Sequence, residues 1–277
     1  MNQVAVVSRP APPQAAQELA DAVVAKFEKE GVKVWRGIVP DGGEFASVVE
    51  EMDMVFALGG DGTILHAGKI AAAVHVPIVG VDFGRFGFLA ELSPAETLAK
   101  LPMFIRGEHW LEERQMLQTE IMRHDQKVGQ YQALNDIVVG RDNLSGVIDV
   151  RLDINDEHVT TFIGDGIIVS TATGSTAYNL ATGGPVVAPT MRAIIVSAIA
   201  PHLSHLGHLI VSETDTVRLY VGTRKGASVT IDGQPDFSIQ DQDVLNISNG
   251  PHVAYFARVQ SKTYFYKTLA TRLRRGG

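Results

Sequence analysis

The 277-residue chain contains no cysteine. This absence excludes a disulfide framework, a thiolate metal site and a cysteine nucleophile, and it is typical of a reducing compartment. Long apolar runs are also missing, because those at 69–81 and 191–201 are interrupted by polar residues or proline and are too short to span a bilayer. The first residues lack the basic region of a signal peptide and resemble a first strand. We therefore expect a cytoplasmic protein with no membrane partner.

Positive charge is scarce as well. The formal net charge is −7 and the isoelectric point is near 5.7. Such a balance argues against a general affinity for nucleic acid. An acidic protein can still bind a small polyanion if metal ions and backbone amides supply the positive field.

Several catalytic motifs are absent. The sequence has no G-x-x-x-x-G-K-[ST] loop, no G-x-G-x-x-G after a strand, no G-x-S-x-G and no H-E-x-x-H. A P-loop NTPase, a conventional dinucleotide-binding fold, a serine hydrolase and a zinc protease are therefore poor interpretations.

The hydrophobic pattern changes near Leu101. Before it, buried-type strands alternate with amphipathic helices, and Ser93 with Glu96 has the spacing of a capping box. This alternation predicts a Rossmann-like α/β domain with a parallel sheet. After it, short strand-like runs separated by turn signals predict a β-sandwich-like domain, with helix only at 176–184 and near Met191.

The end of the chain is amphipathic again, with Tyr264, Leu269 and Leu273 as expected anchors of a C-terminal helix. We expect this helix to pack back on the first domain. The predicted domains are therefore an α/β domain at 1–104, a β-rich domain at 105–254 and a returning segment at 255–277.

The turn Gly59-Gly60-Asp61-Gly62-Thr63 follows an apolar strand and opens a helix. Glycines at such a place let the backbone approach a ligand and adopt positive φ, and the helix N-terminus offers amides to an anion. Asp61 would repel phosphate unless a metal ion intervenes or it accepts a proton from an attacking hydroxyl, and both roles belong to phosphoryl transfer. The alternative is a tight turn in which the aspartate caps its helix.

Asn135 and Asp136 interrupt an apolar, strand-like run. On a regular strand they point to opposite faces, unless a strand end or bulge lets both reach one ligand. Sugar hydroxyls are natural partners for this pair. An ordinary strand edge or turn is the alternative.

The stretch 164–187 combines glycines with Thr171, Thr173, Ser175, Thr176 and Tyr178. Neutral hydroxyl groups beside glycines suit a ligand rich in hydroxyls or amides. The alternative is a loop whose Ser175 or Thr176 only caps a helix. Asp165 repeats the Gly-Asp-Gly pattern before the same strand.

Three histidines, His202, His205 and His208, lie close together in the sequence. Spacing of three invites a metal site, but no carboxylate stands at ligand spacing nearby. We therefore favour a helix or loop surface over a metal site for this cluster.

Four strings occur together in the order and approximate spacing of the NAD kinase family: LGGDGTIL, LNDIVVGR, GDGIIVSTATGSTAYNLATGGPVV and SVTIDGQ. The chain resembles that family over nearly its whole length. The resemblance implies transfer of the ATP γ-phosphate to the 2′-hydroxyl of the adenosine ribose of NAD, with Mg²⁺ or another divalent cation. It also implies an active site between the two domains and a homodimer or homotetramer.

By match of motif, Asp61 is the catalytic carboxylate, acting as proton acceptor or in association with the metal, and no other metal ligand is assigned. The resemblance assigns nucleotide binding to Gly60, Gly62, His66, Phe88, Asn135, Asp136, Asp165, Thr173, Thr176, Ala177, Tyr178, Asn179, Leu180, Ala181 and Gln234.

The chain departs from the family pattern where basic or polar contacts are common. Asp82 replaces a usual Asn, His66 stands where several relatives have Arg, and Gly146 and Ile163 also differ. Phosphate contacts would then depend more on Arg85, Arg141 or the metal ion. Two other functions remain open, a catalytically silent NAD(P) sensor and a lipid kinase that shares the glycine-aspartate turn.

Overall fold

The computed structural model of the protein describes residues 1–40, 43–83, 87–143, 146–202 and 206–275. The chain divides into two compact units, of which the first joins Met1–Arg114 to His252–Gly277 and the second is Gln115–Pro251. The sequence-based limits are 104 and 254. The structural limits fall inside two long strands, where an uninterrupted strand pattern gives no turn signal to mark a boundary.

The helices are α1 (Gln14–Lys29), α2 (Glu44–Val48), α3 (Asp61–Ala72), α4 (Pro94–Ile105), α5 (Tyr178–Ala181) and α6 (Tyr264–Arg275). Short 3-10 turns occupy Val49–Glu51 and Gly174–Thr176. The strands are β1 (Gln3–Ser8), β2 (Lys33–Ile38), β3 (Met54–Gly59), β4 (Ile78–Asp82), β5 (Trp110–Arg123), β6 (Gln126–Ala133), β7 (Asp136–Arg141), β8 (Ile148–Ile154), β9 (Glu157–Gly164), β10 (Gly166–Thr171), β11 (Ala193–Ile199), β12 (His208–Ser212), β13 (Val217–Gly222), β14 (Ala227–Ile231), β15 (Gln234–Ile239) and β16 (Val244–Arg258).

The first unit is built on parallel strands in the order β2-β1-β3-β4, and Phe256 of β16 pairs in parallel with Ile78 of β4. Strand β3 is buried along its whole length, as expected for a parallel strand with helices on both faces of the sheet. Helix α1 covers one face, and its Phe27 meets Phe56 of β3 edge to face with 5.0 Å between ring centroids. The predicted α/β domain is confirmed.

Helix α4 begins with the capping box that the sequence predicts. The backbone N–H and the hydroxyl of Ser93 both donate to Glu96, at 3.3 and 2.6 Å. The Ser93 hydroxyl, and after it Lys100, lowers the pKa of Glu96 to about 2. This cap fixes where the chain turns from the loop after β4 into α4.

The second unit carries an antiparallel sheet in the order β12-β11-β10-β7-β14-β15. Antiparallel pairs β13–β8, β8–β9 and β5–β6 supply the strands that cover it. One hydrophobic core draws on both sets, since Ile137 and Val139 of β7 belong to the same cluster as Val150, Leu152 and Leu219. This arrangement confirms the predicted β-sandwich-like domain.

Two local predictions in this unit are wrong. The stretch after Met191 forms strand β11, which is buried along most of its length between β10 and β12, and not a helix. A continuous apolar run on a central strand lacks the period of two that marks a half-buried strand. His208 likewise belongs to strand β12 and not to a helix or loop surface. His202 is exposed in a bend, and His205 lies outside the described residues.

The C-terminal helix α6 packs within the first unit, as predicted. Tyr264 is buried, Leu269 is half-buried, and the ring of Phe265 lies 5.9 Å from that of Phe88. The side chain of Leu273, the third expected anchor, lies outside the described part of the structure. Within the described part of the chain, no helix is both long and apolar enough to cross a membrane.

Candidate functional site

Asp61 is placed by the junction of β3 and α3. Strand β3 ends at Gly59, Gly60 is the N-cap, and Asp61 is the first residue of α3. The carboxyl end of a parallel strand followed by a helix N-terminus is where open α/β sheets bind ligands. Because the N-cap position holds a glycine, the alternative in which an aspartate side chain caps this helix does not apply.

The carboxylate of Asp61 is oriented by backbone amides of a distant loop. The N–H of Phe88 donates to Oδ2 at 3.1 Å, and the N–H of Leu89 donates to Oδ1 at 3.3 Å. Both oxygens are therefore held from one side, which fixes the plane of the carboxylate.

Gly87 makes this approach possible. A Cβ at Gly87 would lie 1.7 Å from Oδ1 of Asp61, far inside contact distance. Its N–H donates to the buried carboxylate of Asp82 at 2.5 Å. Two carboxylates therefore hold residues 87–89 through their backbone. Arg85, a candidate phosphate contact, lies outside the described residues.

Gly60 and Gly62 border open space. A Cβ on either would meet no atom within 4 Å. Neither is among the described glycines with positive φ, so the expectation of positive φ at this turn is wrong. Neither packing nor backbone conformation demands glycine there, and the close approach of a ligand remains as the reason for two bare positions.

His66 and Phe88 are the other candidates in the first unit. His66 is half-buried on α3, whereas Phe88 is only 6% exposed and packs against Phe265. Phe88 thus contributes its backbone N–H to Asp61 and its ring to the core.

In the second unit, Asn135 lies in the bend between β6 and β7, and Asp136 is the first residue of β7. This is the strand-end placement that lets neighbouring side chains leave the regular alternation. Asp232 organises the bend, since its carboxylate accepts the N–H groups of Leu134, Asn135 and Asp136 at 3.0, 2.7 and 3.3 Å.

Asp232 can do so because it occupies a tight hairpin turn. Asp232 and Gly233 both have positive φ, 53° and 76°, and they connect the paired residues Ile231 and Gln234. An Asp-Gly pair is typical of such a two-residue turn. The Asp-Gly turn is visible in the SVTIDGQ string. The role of Asp232 in holding the bend at Asn135 depends on contacts nearly 100 positions away in the sequence.

Asp136 is 4% exposed, and its surroundings change how its side chain titrates. Burial, and after it the negative charge of Asp232, raises the pKa of Asp136 to about 7. Near neutral pH this carboxyl group can therefore either donate or accept a hydrogen bond.

The hydroxyl-rich loop after β10 is tied to the same bend. The hydroxyl of Thr171 donates to the carbonyl of Leu134 at 2.6 Å, and that of Ser170 donates to the carbonyl of Asn135 at 3.1 Å. A Cβ at Gly174 would lie 2.2 Å from the Asn135 carbonyl oxygen. The structure thus brings together two motifs that the sequence separates by some 35 positions.

The residues of this loop divide into an inner and an outer set. Asn179 is fully buried, and its amide donates to the carbonyls of Ser175 and Pro185 while its oxygen accepts from Ser197. Thr173 is also buried, and its carbonyl accepts the hydroxyl of Thr176. The outer set, half-buried or exposed, is Thr176, Ala177, Tyr178, Leu180 and Ala181.

Ser175 does not cap a helix. Its hydroxyl donates to the carbonyl of Val187 at 3.2 Å and accepts the N–H of the same residue at 3.0 Å. This exchange closes the loop at its base. The helix-cap interpretation of Ser175 is therefore wrong.

Asp165 lies in the bend between β9 and β10 and forms an ion pair with Arg141 at 2.7 Å. The flanking glycines have a different explanation from those beside Asp61. A Cβ at Gly166 would lie 2.3 Å from the Val139 carbonyl oxygen, and one at Gly164 would lie 2.8 Å from a neighbouring backbone. Here packing against the sheet requires glycine. Arg141 already neutralises a carboxylate, which lessens its value as a phosphate contact.

Gln234 and Ile163 are both exposed, the first at the start of β15 and the second on β9.

His208 bonds through Nδ1 to the hydroxyl of Ser197 at 3.0 Å. Among the described residues, no group of three metal-ligating side chains is present.

Comparison with known proteins agrees with these motifs. The N-terminal domain of ATP-NAD kinases matches residues 10–109, and the C-terminal domain matches residues 134–259. An NAD kinase of Chloroflexus aggregans is 34% identical over 99% of both chains. One of Dehalococcoides mccartyi is 36% identical over 99% of this chain and 96% of its own.

Two solved structures are similar. An NAD kinase from Archaeoglobus fulgidus in complex with ATP has a TM-score of 0.77 and 25% identity over 97% of each chain. A yeast NADH kinase complexed with NADH has a TM-score of 0.88 over 99% of this chain and 87% of that one. At 20% identity, the yeast structure shows a shared fold only.

Proposed function

Because the chain belongs to the ATP-NAD kinase family, we propose that it transfers the γ-phosphate of ATP to the 2′-hydroxyl of the adenosine ribose of NAD, giving NADP and ADP. The observation that carries this proposal is the oriented carboxylate of Asp61 at the N-terminus of α3, beside two glycines that border open space. Phosphoryl transfer depends mainly on positioning and charge neutralisation, and this turn offers both.

Asp61 acts as the proton acceptor. The ribose 2′-oxygen loses its proton to the carboxylate and forms a bond to the γ-phosphorus. The bond from the γ-phosphorus to the β–γ bridging oxygen breaks, and ADP leaves with that electron pair. Residues 60–62 supply the backbone approach and helix N-terminal amides for phosphate.

The residues present fit a nucleotide-bound divalent ion. Mg²⁺ is commonly held by one or two carboxylates together with substrate phosphates and water. Asp61 is a carboxylate beside the phosphate approach, and the described residues hold no dedicated cluster of three ligating side chains. When bound, the ion would neutralise charge on the triphosphate.

The acceptor nucleotide is proposed to bind the second unit. Asn135 and Asp136 bind the sugar hydroxyls of NAD, and the pKa of Asp136 near 7 lets it serve as donor or acceptor there. The further contacts with NAD are assigned to Asp165, Thr176, Ala177, Tyr178, Leu180, Ala181 and Gln234. Thr173 and Asn179 act indirectly by fixing the loop, as Phe88 does for Asp61, and His66 is assigned to the ATP side.

The test is NADP formation by the purified protein with ATP, Mg²⁺ and NAD. Polyphosphate as donor, NADH as acceptor and other divalent ions form the remaining arms. Failure of every arm would count against a kinase. Calorimetric binding of NADP in that case would favour the catalytically silent sensor, and phosphorylation of a lipid would favour the third function.

We also propose a cytoplasmic homodimer or homotetramer. The support is the family resemblance together with the absence of cysteine. Light scattering on the eluting peak of a sizing column would give the mass, and a monomer at all concentrations would contradict this part.

A further inference from the structure

Arg258, the last residue of β16, is fully buried. Its Nη1 donates to the carbonyls of Leu89 and Ala90 at 3.1 and 3.0 Å. A guanidinium group presents its donors in a rigid fork, so two adjacent carbonyls held this way cannot turn independently.

The same short segment holds the carboxylate of Asp61. The backbone N–H of Leu89 donates to the Asp61 carboxylate, and the carbonyl of Leu89 accepts a hydrogen bond from Arg258. The backbone of Leu89 is therefore held on both sides. Phe88 supplies the second N–H. A shift of this segment would rotate or release the carboxylate.

Arg258 is itself fixed by a buried set of charges. Glu112 accepts its Nε at 2.9 Å, Glu91 accepts Nη1 at 3.3 Å, and the Tyr264 hydroxyl accepts Nη2 at 3.1 Å. Burial acts to raise the pKa of Glu112, but Arg114 and Arg258 outweigh it and hold that pKa below its ordinary value. Glu112 is therefore ionised and anchors the guanidinium.

Glu91 ties this set to the end of the strand. Its carboxylate accepts the N–H groups of Val259 and Gln260 at 2.8 and 2.7 Å. Arg258 and the two residues after β16 thus donate hydrogen bonds that residues 89–91 accept.

Stability alone does not account for such a group. Buried ion pairs can often be replaced by apolar side chains of similar volume without loss of stability. What apolar packing cannot supply is a directional bond to two backbone carbonyls.

We propose that Arg258 is a positioning residue for catalysis, which acts by fixing the carbonyls of Leu89 and Ala90 so that the amides of Phe88 and Leu89 orient the carboxylate of Asp61. This inference rests on the proposed kinase function for its kinetic consequence. The orientation of the segment by Arg258 can be measured without turnover.

The test uses Arg258→Lys, which keeps the positive charge but loses the fork. The matched control is Val23→Ala, which opens the buried face of α1 and lowers stability without removing a hydrogen bond to Asp61 or Arg258, because a valine side chain makes none. Both are measured for melting temperature, for kcat and KM, and for amide hydrogen exchange at Phe88 and Leu89. Each is also combined with Asp61→Asn.

We expect Arg258→Lys to lower kcat by roughly 10- to 100-fold, the cost of a misplaced catalytic group, with KM values for ATP and NAD little changed. The loss should largely vanish in the Asp61→Asn background, because residues acting through one another are not additive. Exchange at Phe88 and Leu89 should accelerate more than in Val23→Ala.

The proposal would be overturned if Arg258→Lys left kcat unchanged, or if it lowered kcat by the same factor in the Asp61→Asn background. It would also be overturned if exchange at Phe88 and Leu89 accelerated equally in Val23→Ala. If Arg258→Lys does not fold, Tyr264→Phe removes the hydroxyl that fixes Nη2 and is scored by the same three outcomes. If the unaltered protein makes no NADP, the kinase proposal fails, whereas the exchange comparison still decides whether Arg258 orients the segment.

Discussion

Asp136 and Asp232 are hydrogen-bonded to each other in both directions, once between their backbones and once from a backbone N–H to a carboxylate. The N–H of Asp232 donates to the carbonyl of Asp136 at 3.0 Å, and the N–H of Asp136 donates to the carboxylate of Asp232 at 3.3 Å. Two acids are thereby fixed close together at the start of β7. Asp232 accepts backbone amides, whereas Asp136 is the one proposed to bind the acceptor nucleotide.

Asp232→Asn should disturb the bend and the charge together. The carboxamide offers one acceptor oxygen where the carboxylate offers two, so a buried N–H loses its partner at a cost of about 1–3 kcal/mol in unfolding free energy. The pKa of Asp136 should fall, since a neighbouring negative charge is removed, and KM for NAD should rise. A carboxyl NMR titration and steady-state kinetics measure these effects.

Asp241→Asn is the matched control for that variant. Its carboxylate accepts the N–H of Thr223 at 2.9 Å in an exposed turn. If Asp241→Asn changes the pKa of Asp136 or KM for NAD as much as Asp232→Asn does, Asp232 has no special role in holding the bend.

The pH dependence of stability should carry the signature of Asp136. Its pKa is raised from 3.8 to about 7 by burial and by Asp232, so its contribution to stability is fully present below the unfolded pKa and is lost as pH rises through the folded pKa. From about pH 5 to about pH 8 the free energy of unfolding should fall by roughly 2–3 kcal/mol more than in Asp136→Asn. Denaturant unfolding of both proteins measures this, and parallel curves would contradict it.

Asp61→Asn should lower kcat by roughly 10²- to 10⁴-fold, because a positioned proton acceptor is lost. The melting temperature should change little, since the amide oxygen still accepts one of the two backbone N–H groups. A nearly normal rate in a folded variant would remove Asp61 from the chemistry.

Gly87→Ala and Gly60→Ala form a matched pair. The first places a methyl group 1.7 Å from Oδ1 of Asp61, whereas the second meets no atom within 4 Å. We expect Gly87→Ala to lower both melting temperature and kcat. Gly60→Ala should keep the melting temperature and raise KM for ATP, because its methyl group would occupy the ligand's approach. Equal melting temperatures for the two variants would contradict this explanation.

Tyr178→Ala and Asn179→Ala separate binding from loop structure. Loss of the exposed Tyr178 ring should raise KM for NAD about 10-fold, the worth of an aromatic contact, with unfolding free energy nearly unchanged. Loss of buried Asn179 strands several polar groups and should lower unfolding free energy by about 2–4 kcal/mol. Thermal unfolding and kinetics on the same preparations distinguish the two effects. If Tyr178→Ala lowered stability and Asn179→Ala only raised KM, the division of the loop into a buried inner set and an outer set would be contradicted.

Local patterns predicted the elements with clear signals. The apolar face of α1, the Ser93–Glu96 capping box and the strand–turn–helix around Asp61 all involve neighbours within a few positions. Strand β11 has no such signal, since burial on both faces removes the alternation that identifies a strand.

The sequence by itself determined the fold class, the family and the residue types available for phosphoryl transfer, because periodicity, capping and turn chemistry act over short distances. Only the tertiary structure decided what each group does. Asp61 is oriented by amides 27 and 28 positions away, and the Asn135–Asp136 bend is held by a carboxylate 96 to 98 positions away. Such contacts depend on how strands pair and loops close, and no local pattern records which distant backbone a side chain will meet.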